Sequence, residues 1–144
     1  EETTMAAATV RWIGGKQFVG IDSTNHSVVL STPDEGVGMK PSELLLVALA
    51  SCTAVDVVEI LSKKRTPVSA LEIHATGEQD PEPPWTFRKI HLLYRVRGSD
   101  LTENAVEQAI RLSEEKYCSV SATVRGVAQI TTEFEILPEN LTAL

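Results

Sequence analysis

A chain of 144 residues with 42% hydrophobic and 23% charged side chains is sized and composed for one ordinary folded domain over residues 1–144. A net charge of −7 and a pI near 4.9 would repel a phosphate backbone, so nucleic acid is excluded as an expected partner. No uninterrupted apolar run approaches the roughly 18 residues of a membrane span, and the first residues lack a basic then apolar leader. The expectation is therefore a soluble cytoplasmic protein with no membrane partner.

In chain order, Thr9-Val10-Arg11-Trp12 alternates polar with apolar, and Gly14-Gly15 can turn the chain into Gln17–Ile21, which predicts a hairpin. Ser27–Leu30 reads as a third strand, and Pro33–Gly38 has the composition of a loop. Pro41 then opens a stretch without Gly or Pro that runs to Lys64, with proline at a position where its missing N–H costs nothing. Between Leu44 and Ala50 every residue is apolar, which predicts a helix buried on all sides in its first half. Ser62-Lys63-Lys64-Arg65 puts positive charge at its C-terminal end, and Pro67 stops it.

Leu71, Ile73 and Ala75 alternate with Glu72, His74 and Thr76, as in a half-buried strand. Gln79–Pro84 is too rich in proline to pair regularly, and Ile90, Leu92, Tyr94 and Val96 form the apolar side of a second strand, predicting another hairpin. Asp100 and Glu103 are spaced as a capping box ahead of a helix expected to end near Tyr117, and Ala128–Ile136 supplies a last alternating strand. The order predicts an α+β domain in which antiparallel sheets wrap a long central helix. Covering that helix on every side exceeds what one small sheet can do, so a homodimer is expected.

Only three histidines are present (His26, His74, His91), and none is at metal-ligand spacing from a cysteine or from another histidine, so no metal or bound cofactor is expected. Two cysteines remain to be explained. Cys52 lies within the apolar helix, too deep for the N-terminal dipole to act on it, and Asp56 follows one turn later, where a carboxylate disfavours a thiolate. Cys118 sits at the end of the second helix, before Ser119-Val120-Ser121-Ala122-Thr123. By themselves these residues read more readily as two small buried hydrophobes than as a reactive pair, the latter requiring Cα atoms within roughly 4.4–6.8 Å.

Lys40-Pro41-Ser42-Glu43-Leu44 through Ala50-Ser51-Cys52 resembles the first cysteine helix of the OsmC/Ohr family, and Cys118–Thr123 is similar to that family's second cysteine box. The resemblance implies an intertwined homodimer with thiol sites at its interface and, from the best-studied members, reduction of organic hydroperoxides. Cys52 would attack the peroxide and Cys118 would capture the resulting sulfenic acid as a disulfide, which an external dithiol then reduces. Two positions depart from the peroxidase pattern. Ser42 stands where those members carry glutamate, and the neighbouring Glu43 is about 180° from Cys52 round a helix, where the family's spacing gives about 80°. Lys16 stands where they carry an arginine after the Gly-Gly turn, and Arg11 is the other cation of that hairpin. Lys16, Glu43 and Arg11 are the candidate activating groups. Three functions stay open: a two-cysteine peroxidase acting on small apolar hydroperoxides, a non-catalytic dimer that binds another small ligand, and a redox sensor.

Overall fold

The structure is a computed structural model that describes residues 2–139. The chain divides into two compact units, Glu1–Leu45 and Leu46–Leu144, and the long helix starts in the first and continues in the second.

The first unit holds a three-stranded antiparallel meander of β1 (Ala8–Gly14), β2 (Gln17–Asp22) and β3 (Ser27–Ser31). Its first turn works because Gly14 and Gly15 take φ of 118° and 51°, values that an L side chain resists. Thr9 pairs with Ile21 and Trp12 with Phe18, as the alternation predicts, with a bulge between Trp12 and Gly14. The loop after β3 is tied back by Glu35, whose carboxylate accepts from the Lys16 N–H at 3.0 Å and from Gln17 Nε2 at 2.9 Å.

Helix α1 spans Pro41–Lys63. Within one chain it buries a single row, Leu49, Thr53, Val57 and Leu61, and leaves Val47, Val55 and Val58 exposed, so the expectation of burial on all sides is not met by one copy. Ser51, Thr53 and Asp56 break up its apolar run, yet the helix as a whole remains strongly apolar. Among the described residues it is the one helix long and apolar enough, by length and composition, to cross a membrane. Its buried row belongs instead to a protein core shared with the second unit's sheet and helices.

That sheet comprises β4 (Ala70–Gln79), β5 (Phe87–Arg97) and β6 (Gln129–Ile136), with β5 in the centre. Ile90, Leu92, Tyr94 and Val96 of β5 are fully buried, every second residue, as the pattern predicts. β4 and β5 are antiparallel, but β6 pairs parallel to β5, Ile90 beside Ile130 and Tyr94 beside Phe134, so the sheet is mixed and the all-antiparallel expectation is corrected. The physical reason is the connection: helices lie between β5 and β6, and such a crossover returns the chain in the same direction.

The crossover starts with α2 (Glu103–Leu112). Its N-cap is Thr102, whose hydroxyl accepts from the Ala105 N–H at 3.1 Å, and not the Asp100 of the expected capping box. The helix does not run unbroken to Tyr117. It widens into a π-helical turn over Ser113–Tyr117, after which a short helix, α3 (Ser119–Val124), occupies the small polar run. Truncating Leu61, fully buried in this core, to alanine is expected to cost about 2–5 kcal/mol of unfolding free energy by chemical denaturation; a loss under ~1 kcal/mol would contradict the placement.

Candidate functional site

The α1 helix and the turn after α2 bring the two cysteines together. Both are free thiols; Cys52 is half-buried on α1 and Cys118 only 2% exposed. Cys52 packs against the buried cluster that contains Cys118 and is one of the neighbours that raise the Cys118 thiol. Cys118 has extended backbone angles, φ −80° and ψ 105°, and serves as the N-cap of α3, its Sγ accepting from the Ser121 N–H at 3.3 Å. Burial, followed by the neighbouring Cys52, pushes the Cys118 thiol up to about 11, and the Ser121 N–H only partly opposes this. The Ser121 hydroxyl, one turn further on, is buried and has no hydrogen-bond partner among the described residues.

Polar groups run through the core beside this pair. The Tyr94 hydroxyl lies 2.8 Å from Thr53 Oγ1. Ser113 Oγ lies 2.9 Å from the same Thr53 oxygen and donates at 2.7 Å to Asp56 Oδ2. Tyr94 is driven up to about 12 by burial, against the bond to Thr53, so it stays a neutral hydroxyl at any physiological pH. Glu114, the next residue in the π-helical turn, is raised by burial and by Glu115, while Arg125 works against both. The Arg125 guanidinium donates to the Glu114 carbonyl at 3.0 Å, which fastens the turn to the end of α3.

The other residues singled out in the sequence have local partners in the first unit. The Lys16 ammonium pairs with Asp34 at 3.2 Å, the Glu43 carboxylate pairs with Lys40 at 3.6 Å in the first turn of α1, and Arg11 is exposed on β1 opposite Val19. Ser42 is exposed beside Glu43. Sequence reasoning missed Thr53, Tyr94 and Ser113. Two signals were there to be read: Thr53 is the one polar member of the row Leu49-Thr53-Val57-Leu61, and Tyr94 falls on the apolar side of its strand, where a buried phenol needs a partner. Nothing in Ser113-Glu114-Glu115-Lys116-Tyr117 marks a π turn.

Residues 32–133 match the model of the family described as OsmC-like protein. This chain belongs to the OsmC-like family. It is 36% identical to protein YhfA of Escherichia coli K12 over 130 residues, 90% of this chain and 97% of that one. Among solved structures it resembles a hypothetical protein from Aquifex aeolicus VF5, with a TM-score of 0.81 and 30% identity, covering 94% of this chain and 100% of the other. It also shares its fold with the organic hydroperoxide resistance protein OhrB of Bacillus subtilis, at a TM-score of 0.62 and 19% identity over 92% of this chain and 98% of that one. The OsmC-like membership agrees with the resemblance carried by the two cysteine boxes.

The two thiols differ enough for a chemical test. With its thiol pushed up to about 11, native Cys118 alkylates about a hundredfold more slowly at pH 8 than an ordinary cysteine through ionisation alone. Iodoacetamide should therefore label Cys52 first, and Cys118 labelling should climb as pH approaches 11. Mass spectrometry showing Cys118 modified first, or both at equal rates, would contradict this geometry.

Proposed function

We propose that this protein reduces organic hydroperoxides with Cys52 and Cys118 as a thiol pair, in a cytoplasmic homodimer that draws electrons from an external dithiol and needs no bound cofactor or metal. The observation that carries the reading is that two free thiols from separate elements, Cys52 and Cys118, share one packed cluster and lie near enough for Cys52 to raise the Cys118 thiol. The half-buried Cys52 is the one a peroxide can reach. Its thiolate attacks the peroxide oxygen, an S–O bond forms as the O–O bond breaks, and the alkoxide leaves with a proton as the alcohol. Cys118 then attacks the Cys52 sulfenic acid, forming S–S while S–O breaks and water departs, and a dithiol returns both sulfurs to thiols. Leu, Val and Ala around Cys52 on α1 favour small apolar peroxides over hydrogen peroxide.

The exposed side of α1 is the face a second copy would cover. There Ala54, Val55, Val58, Glu59, Ser62 and Lys63 line a groove of 680 Å³ with little polar lining beyond its lysine and glutamate, and Val55 is 65% exposed. An apolar helix face of this kind is buried against something in a stable protein, and a self-complementary copy does so with closed symmetry. Val55→Glu should shift the protein from dimer to monomer in sedimentation at micromolar concentration; a monomeric parent protein, or a variant still dimeric, would remove this face from the interface.

The pairing of Lys16 with Asp34 and of Glu43 with Lys40 favours a second reading, in which the cysteines are not activated and the dimer binds a small apolar ligand without turning it over. Turnover separates the two. The reduced protein should consume cumene hydroperoxide with a dithiol at rates well above free thiols, Cys52→Ser should abolish this, and Cys118→Ser should leave Cys52 over-oxidised to the sulfinic acid. Background consumption in all three proteins would replace the peroxidase with the ligand-binding reading.

A further inference from the structure

Every polar group of Ser113 is engaged, and its carbonyl and hydroxyl join the two cysteine-bearing elements. Its N–H reaches the Ala109 and Ile110 carbonyls at the end of α2. Its carbonyl accepts the Cys118 N–H at 2.8 Å, the bond that closes the π-helical turn. Its side chain is fully buried and hydrogen-bonds two residues of α1, Thr53, which follows Cys52 directly, and Asp56, one turn on.

Ser113 Oγ is the donor toward both Asp56 Oδ2 at 2.7 Å and Thr53 Oγ1 at 2.9 Å, and of the two the carboxylate is the stronger acceptor for its one hydrogen. The Tyr94 hydroxyl bonds the same Thr53 oxygen at 2.8 Å. Tyr94, Thr53 and Ser113 are buried, so a member that turned away would leave a buried hydroxyl short of a partner. A disulfide tolerates little error in the separation of its two Cα atoms, so rigid placement of one thiol against another raises their effective concentration.

We propose that Ser113, anchored by Asp56, Thr53 and Tyr94, is a positioning clamp that fixes Cys118 against Cys52 and sets how readily the two thiols close into a disulfide. The proposal rests on the reading of the cysteines as a working pair, but not on a peroxide as oxidant. With oxidised dithiothreitol as the oxidant, one protein thiolate attacks the reagent's disulfide. The second protein thiol displaces the bound reagent sulfur, so two protein thiols become one disulfide and the two protons pass to the reduced reagent.

The test equilibrates the full chain with mixtures of reduced and oxidised dithiothreitol, quenches by alkylation and counts disulfide by mass spectrometry. Ser113→Ala and Asp56→Ala should each lower the equilibrium constant about tenfold, or ~30 mV for this two-electron couple. Asp56→Asn, which still offers an oxygen to Ser113, should recover it to within about threefold of the parent. Asp56→Leu, of similar size but without an acceptor, should stay as low as Asp56→Ala; recovery there would assign the effect to packing and overturn the clamp. Should Ser113→Ala not fold, Thr53→Val is read in its place alongside Asp56→Ala, since Asp56 is only half-buried. Either alanine variant holding the constant within twofold of the parent overturns the clamp, as does an Asp56→Asn value as low as that of Asp56→Ala. A parent protein that forms the disulfide in this buffer, with the variant pattern above, yet ignores cumene hydroperoxide leaves the clamp standing and removes the peroxidase. A parent that forms none overturns the paired reading and the clamp with it.

Discussion

One turn of α1 after another presents Leu49, Thr53, Val57 and Leu61 to the core, and three of the four ask only for apolar neighbours. Thr53 asks for more. A buried hydroxyl left without a partner costs roughly 1–3 kcal/mol, so the elements packed against α1 have to bring polar atoms to that one point. β5 brings the Tyr94 hydroxyl, and the segment after α2 brings Ser113, which needs in turn the Asp56 carboxylate. The positions of three elements are thereby coupled to one threonine. Its neighbour in sequence is Cys52.

The same constraint accounts for the irregular geometry of the second cysteine. An α-helix continued past Leu112 would give Cys118 helical backbone angles. The wider turn leaves Cys118 extended, with its N–H on the Ser113 carbonyl and its sulfur capping α3. Single π turns gather at functional sites because they reposition a side chain without breaking the helix around them. Burial keeps this thiol protonated near neutral pH.

The sequence carried most of the frame and less of the site. Period-two patterns located β4 and β5 and their core-facing sides, and the Gly14-Gly15 turn fell where φ is positive. Strand direction was not legible, because alternation in β6 reads the same whether it runs with β5 or against it; only the helical crossover decides. Helix type was hidden for a similar reason, since a π turn adds one residue to a pattern and needs no characteristic residue to do so. Cys52 and Cys118 were legible as residues, through the two boxes that surround them. Their proximity was not, since it is made by side chains far apart in the chain, and neither were the hydroxyls beside them, which single-residue patterns record as polar interruptions.

Parallel pairing in the second sheet also bears on the order in which the chain assembles. The strands of the first sheet each pair with a neighbour in sequence, and so do β4 and β5. By contrast, β6 meets β5 through residues such as His91 and Thr131, separated by 40 positions, with α2, the π turn and α3 between them. Closing so long a loop costs entropy before any contact repays it, so that strand docks late. Until it does, Ala128 and the sheet's third strand are missing from the core, and the second thiol belongs to a connection whose two ends have not yet been joined.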